Sequence, residues 1–458
     1  MHKLNLQPGQ IIMETRRYVY ILIKHSLRLL PVRVLSLMEG PGTSSASEAR
    51  GPSSDVVCVK TYTPLKWTTQ EIREAIPARL FERDTMTSLQ YLGRDLVMMA
   101  VLYLAVSRID SWFSSFAIQK TEYRIVTRVA LMLGHWILWL VYWWFQGLVG
   151  MGLWVLAHEC GHGAFSSNPI ICDTIGFVIH SSLFTPYFSW RISHNRHHIN
   201  HNSMERDEVY VPETRSDLGI PNVSPEHVNW EDFFDDTPLY TLFMLVRRQL
   251  LAFPAYLLTN VSGQKSYPYP TSHFNPNAVL FMKIQRPLVI LSNIGILVAI
   301  WCFFLACRQW GLGTVLKIYG IPWLIVNHWF VTMTYLHHTD PVIPRYRGQA
   351  WTFARGAAAT IDRDFLGWQG VFFLHGVSHY HVVHHFFPKM PHYNSAEATK
   401  YLKTFLGEHY HYSDEPILKA LWHSYNTCQF VEDEGDILFF RDKRGRCALQ
   451  ASENVTQD

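Results

Sequence analysis

Between Val129 and Ala157 the chain runs for twenty-nine residues without an aspartate, glutamate, lysine or arginine. A soluble core rarely needs so long an uncharged block, whereas a bilayer span needs roughly 20 predominantly apolar residues. As a helix rising ~1.5 Å per residue the block measures about 44 Å, longer than the ~30 Å hydrocarbon core. Its end therefore projects into water and carries with it whatever follows. Three other blocks repeat the signal. Pro287–Cys307, between Arg286 and Arg308, has twenty-one residues, and Ile318–Tyr335 has eighteen, enough if its flanks contribute. Leu96–Val106 is the weakest, with eleven uncharged residues between Arg94-Asp95 and Arg108, and spans only if its flanks snorkel. Thr174–Trp190, interrupted by His180 and several hydroxyls, reads as a helix lying in the interface. Leu242–Leu258, split by Arg247-Arg248, reads the same way, with its arginines turned towards headgroups. Charged residues are only 17 % of the chain, against roughly 25 % in soluble domains. The expected fold class is an all-α integral membrane protein, with four transmembrane helices in two hairpins and a helical cap at one face.

A formal charge of +3, with no basic run alternating with stacking aromatics, argues against nucleic acid as a partner. The seven cysteines (Cys58, Cys160, Cys172, Cys302, Cys307, Cys428, Cys447) are scattered and form no CxxC pair, which suits reducing surroundings better than a disulfide framework. Residues 1–60 read as an N-terminal extension and linker. The first 37 residues are basic and partly apolar and resemble a targeting segment, a translation start at Met38 being the alternative; residues 39–56 have the composition of a disordered linker. Residues 61–430 form the membrane domain, and the charged residues 431–458 read as a peripheral tail.

The 24 histidines decide the function, because they cluster. His158-Glu159-Cys160-Gly161-His162 follows the longest span directly. His194-Asn195-Arg196-His197-His198 and His381-Val382-Val383-His384-His385 come later. Residues three and four apart share a helix face, so each cluster presents its histidines together. Imidazole suits zinc, copper, iron or nickel. A single HxxxH pair is more often a plain helix surface. Three such clusters are not, and the topology adds a separate test. If the four spans form two hairpins, all three clusters and His337-His338, at the exit of the fourth span, fall on one side of the bilayer. His158-Glu159-Cys160-Gly161-His162 also fits the H-E-x-x-H pattern of zinc proteases. That reading needs only one further ligand, however, and leaves the other clusters without a purpose. Eight histidines in three clusters exceed one tetrahedral zinc site and match two metals. A non-catalytic metal carrier is the remaining alternative.

In order and spacing these clusters resemble the histidine boxes of membrane fatty-acid desaturases and hydroxylases. The likeness extends to Trp67–Pro77, Glu205–Pro212, Tyr256–Gly263, Tyr335–Pro341, Thr360–Asp364 and Met390–Asn394 with Glu397-Ala398-Thr399, which resemble stretches of microsomal oleate (Δ12) desaturases. It covers about residues 60–412. The resemblance implies nine iron ligands: His158, His162, His194, His197, His198, His338, His381, His384 and His385. His337 stands where relatives often have glutamine and is expected beside the site without binding. Two positions depart from the pattern: His379 replaces a common acidic residue before the third box, and Gly163 a common histidine after the first. The resemblance further implies two iron ions, O2 as co-substrate and a fatty-acyl lipid substrate. The chain has no His-Pro-Gly-Gly haem segment and no Gly-rich dinucleotide fingerprint. By resemblance, electrons come from free cytochrome b5 and NADH-cytochrome b5 reductase. The expected setting is the endoplasmic-reticulum membrane, with the active site facing the cytosol. The expected reaction places a Δ12 or Δ15 (ω3) double bond in an unsaturated C18 chain, an acetylenic, conjugated or hydroxylated product being the alternative. Glu159, Cys160 and Asp207 are expected to pack or hydrogen-bond around the metals. Trp136, Trp139, Tyr142, Trp143, Trp144 and Trp154 read mainly as lipid-facing or interfacial aromatics, with a tunnel lining as the alternative. His135 and His328, inside spans, read as structural hydrogen-bonders.

Overall fold

Several helix starts in this chain are set by short polar residues. Thr68 and Glu71 form a reciprocal capping box that opens α1 (Thr69–Glu74). The Asp84 carboxylate accepts the backbone N–H of Met86 and Thr87 and starts α2 (Thr85–Val106). The chain continues through α3 (Ile109–Gln119) into α4 (Ile125–His162). Asn168, followed by Pro169, opens α5 (Pro169–Ser182), and α6 (Tyr187–Asn200) comes after a tight turn. Thr237 caps α7 (Pro238–Thr259). Then come α8 (Arg286–Trp310) and α9 (Ile321–His338), joined by Leu312–Val315 and a π-helical turn at Leu316–Gly320. Shorter helices complete the cap: α10 (Phe353–Ala358), α11 (Trp368–Phe373), α12 (His381–Phe386), α13 (His392–Leu406) and α14 (Ile417–Thr427). The structure is a computed structural model describing residues 60–119, 125–223, 225–234 and 237–452. The extension and linker expected over residues 1–60 lie outside these, apart from Lys60.

The uncharged block of the sequence sits inside α4, which is 38 residues long. Its first half exposes Val129, Trp136 and Leu140, as a lipid-facing helix does, while its second half is buried without a break from Gln146 to His162. The helix thus outruns its apolar surroundings and ends inside the cap, as its length requires. The weak first span is rescued by pairing: Asp95, which interrupts it, is fully buried and lies 2.8 Å from both Arg94 and His375. His135 meets Asp110 at 2.7 Å and His328 meets Gln249 at 3.1 Å, the structural roles expected of them.

The structure adds detail to the sequence reading at three helices. Four segments are long and apolar enough to cross a membrane: Thr85–Ser115, Ile125–His162, Pro238–Thr259 and Lys283–Trp310. Pro238–Thr259, expected in the interface, is among them. Its Arg248 turns inward instead of to headgroups, 4.1 Å from the centre of the Tyr335 ring, an arrangement in which the aromatic face holds the cation. Ile318–Tyr335, expected as the fourth span, lies mostly in Ile321–His338, an 18-residue helix packed against α4 and α7, and a helix sheathed by protein can carry Asn327, His328 and Thr332. Thr174–Trp190 is two helices, because Phe184 takes a left-handed φ of 56° and Pro186 disfavours helix at Thr185.

Two glycines set how closely α4 and α9 approach. A Cβ on Gly150 would lie 2.8 Å from Val326 Cγ2, and one on Gly147 would overlap Ile325. Short strand pairs then bind the cap. Lys60–Tyr62 (β1) lies parallel to Leu449–Ala451, and Arg345–Tyr346 pairs antiparallel with Ile437–Leu438. Glu432 also grips Arg215 at 2.6 and 2.8 Å. Residues 431–452 are therefore strapped to the cap, because their backbone groups find partners there. Gly147→Leu should cost about 1–3 kcal/mol by overpacking. Thermal unfolding in detergent checks this, and an unchanged midpoint would mean that α4 and α9 have room to spare.

Candidate metal centre

The histidines sit at helix positions that sequence spacing and helix ends bring together. His158 and His162 occupy the last turn of α4, one turn apart. His194, His197 and His198 lie on the last turns of α6, and His381, His384 and His385 make up half of α12. His338 ends α9, where the final carbonyls of a helix have no partner within it. Three cap residues take those carbonyls: Arg363 donates to Leu336 at 3.0 Å, Thr360 to His337 at 2.8 Å and Arg345 to His338 at 2.6 Å. The direction of His338 is thereby fixed from outside its own helix.

Two groups of buried imidazoles result. His158, His162, His194, His198 and His384 bring one nitrogen each within 4.8 Å of all the others, and His197, His201, His338 and His385 do the same. In the first group the Nε2 atoms of His158 and His194 are 2.9 Å apart, those of His162 and His158 3.2 Å, and those of His198 and His194 3.1 Å. His381 borders the second group, with its Nε2 3.1 Å from that of His385 and 3.4 Å from that of His338. Burial first, and the neighbouring imidazoles second, hold His194, His198, His381, His384 and His385 well below the usual histidine range. Neutral imidazoles bring lone pairs to this place, and several lone pairs about 3 Å apart away from water suit a cation between them.

Carboxylates and carbonyls brace the rings from behind. His197 Nδ1 meets Asp207 at 2.9 and 3.1 Å, and the buried Asp207 also accepts the Val209 N–H at 3.0 Å. Glu159 reaches from the first box to within 3.4 Å of His158 Nδ1 and 3.9 Å of His384 Nδ1. Asp362 accepts the backbone N–H of Val382 at 2.7 Å and so anchors α12 beside His381. A hydrogen bond such as that from His197 to Asp207 fixes ring orientation and raises ligand basicity. Cys160 points elsewhere, into a small cluster with Phe165 and Cys172.

Eight of the nine histidines expected from the sequence fall in these two groups, and His381 borders the second. His337 stands outside both groups, with its Nδ1 bonded to the Ile361 carbonyl at 2.6 Å. His379 meets Asp364 at 3.1 Å, while no hydrogen bond ties it to His381. Gly163 takes a φ of 71° just past the end of α4. The sequence reading missed His201, which the second group includes. Its signal was present: it lies four residues after His197, the spacing of one helical turn, but beyond the end of the box.

A cavity of about 290 Å³ opens onto His194, His197 and His338, and its other walls include Trp190, Phe253 and Phe330. Phe253 also lines a neighbouring, strongly apolar cavity of about 720 Å³. None of the six aromatics weighed on α4 lines the first cavity. Trp154 instead packs on Trp190 and Phe330, at ring distances of 5.0 and 4.5 Å. The site thus joins a nest of imidazoles to an oily pocket.

The family model for fatty acid desaturases matches residues 134–416. The chain belongs to the fatty acid desaturase family. This desaturase-family enzyme is 41 % identical over 405 residues to the Delta(12) fatty acid desaturase of Mortierella alpina, covering 87 % of the chain and 96 % of that relative. It is 37 % identical over 387 residues to the oleoyl-12-hydroxylase of Ricinus communis, covering 83 % of the chain and 92 % of the relative. With the Delta(12) acyl-lipid conjugase (11E,13E-forming) of Momordica charantia the identity is 35 % over 397 residues, at 87 % and 90 % coverage. The zinc-protease reading falls with this membership, since its single H-E-x-x-H pair is part of a larger imidazole group. In the enzyme, Asp207→Ala should weaken metal retention 10–100-fold, the usual effect of removing such a brace. Competition with a chelator measures it, with Cys160→Ser as the unaffected control; equal retention in all three proteins would remove Asp207 from the centre.

Proposed function

We propose that this enzyme is an O2-dependent acyl-lipid desaturase that places a double bond at Δ12 or Δ15 (ω3) of an unsaturated C18 chain. The metals are two irons. His158, His162, His194, His198 and His384 hold one, and His197, His338, His381 and His385 hold the other. What carries this reading is the juxtaposition of two imidazole groups with an apolar cavity at their edge, in a chain whose relatives include Delta(12) desaturases.

The substrate explains why a metal pair is needed. The hydrogens removed sit on adjacent unactivated methylenes, which no side-chain acid or base can deprotonate. A redox-active metal pair supplies, with O2, the oxidising power for that step. The overall balance is one CH2–CH2 pair, one O2, two electrons and two protons in, and one CH=CH and two waters out. The chain's own residues do the rest. Trp190, Phe253 and Phe330 exclude water and grip the chain along its length, because a uniform acyl chain offers no polar handle by which to be measured. Asp207 holds the His197 imidazole in orientation, with Glu159 lying close to His158 and His384. The two electrons come from cytochrome b5 and its NADH-dependent reductase, docking on the cytosolic face of the endoplasmic reticulum.

The hydroxylase and conjugase relatives favour a second reading, in which the same site gives a hydroxylated or conjugated chain. Expression in cells whose only abundant unsaturated acyl chain is oleate separates the two by chromatography of the fatty acids. A new diene is expected. A hydroxylated or conjugated product supports the second reading, and unchanged lipids despite good expression and electron supply count against both. His384→Ala should abolish product while the protein still inserts. Ala252→Trp, which fills the cavity beside the histidines, should lower turnover of C18 chains with about two irons per chain retained; full activity would place the acyl chain elsewhere.

A further inference from the structure

His201 lies outside the boxes and has no role in the function proposed above, yet it is only 1 % exposed and lies among the imidazoles. Its hydrogen bonds are fixed by its surroundings. Nδ1 is 2.8 Å from the Gly356 carbonyl, which can only accept, so Nδ1 carries the ring's proton. Nε2 is then a bare acceptor, and it lies 2.9 Å from Nδ1 of His338. His338 must donate there, which leaves its own Nε2 unprotonated, and that atom faces Nε2 of His381 at 3.4 Å. The backbone of His201 is held as well, since the Trp351 indole donates to its carbonyl at 3.0 Å.

We propose that His201 is a positioning residue for the second iron: a relay from the Gly356 carbonyl through the His201 imidazole fixes the tautomer of His338, so that His338 binds metal through Nε2. The proposal rests on the two-iron reading. It deepens that reading by turning a five-and-four division of ligands into a chemical distinction. The iron beside His338 is braced by an imidazole, while His197 in the same set is braced by the Asp207 carboxylate. It also accounts for His381. His381 lies beside the four-nitrogen group without belonging to it, but the Nε2 of His338 turns the ligand set towards it.

The relay makes a demand on side-chain chemistry that packing alone does not. His201→Phe keeps a planar ring and removes the acceptor. His201→Gln keeps a carbonyl oxygen able to accept from His338. The full chain is purified in detergent and loaded with iron-57, and two properties are read: the rate at which iron passes to a ferrous chelator, and the Mössbauer spectrum. In His201→Phe one of two irons should leave 10–100-fold faster, the range for loss of an outer hydrogen bond to a ligand, with its doublet shifted and the other unchanged. His201→Gln should restore most of the slow release and the original doublet. Unchanged release in His201→Phe, or no rescue by His201→Gln, overturns the relay. A structure of the iron-loaded wild type tests it independently of whether the variants fold. Nδ1 of His338 should lie within hydrogen-bond reach of His201, and a direct bond from His201 to iron would sink the proposal. A wild-type chain that holds one zinc, or no iron, would instead remove the two-iron reading on which the proposal stands.

Discussion

Neutral imidazole nitrogens a few ångströms apart, withdrawn from water, are unstable company unless a shared proton or a cation lies between them. Burying a polar group without a partner costs about 1–3 kcal/mol by mutational measure. Here Nε2 atoms from α4 and α6 approach to 2.9–3.2 Å in one group, and further nitrogens meet similarly in the other. The cap is therefore organised for cations. Its other contacts, from the Asp207 carboxylate to the arginines on the last carbonyls of α9, keep rings aimed where cations belong.

The scaffold meets this demand by bringing helix ends to one place. α4 is long enough to leave the apolar layer and deliver His158 and His162 into the cap. Gly147 and Gly150 let α9 lie close against it, so that His338 arrives at the same level. The cap closes over the ends with small strand pairs drawn from distant parts of the chain, including residues 437–451. Inward-facing Arg248 and the buried Asp95–His375 pair show how polar groups persist in otherwise apolar helices. Each has a partner, aromatic or ionic.

Position along an acyl chain and the fate of the oxidised carbons are separate matters from metal binding. Relatives named for desaturation, hydroxylation and conjugation align with most of this chain at 35–41 % identity. Membership of the family thus leaves the product open, and the apolar walls nearest the imidazoles belong to the cavity beside His194, His197 and His338. Those walls come from α6, α7 and α9, helices that meet only in the folded protein.

By itself the sequence determined the membrane character, because uncharged length is a local property. It also marked out the eight histidines of the three boxes, because spacing of three and four residues forces them onto shared helix faces, while His338 at the α9 terminus was reached only through the family resemblance. It did not determine which nitrogens meet. That His201 joins the group, that His379 pairs with Asp364, and that Arg248 turns towards Tyr335 depend on residues from 15 to 137 positions away. The split of Thr174–Trp190 and the sheltered place of α9 were equally hidden, since burial against other helices overrides the local pattern. Helix periodicity is written along the chain. The partners of a side chain are settled only by packing, which sums contacts over the whole fold.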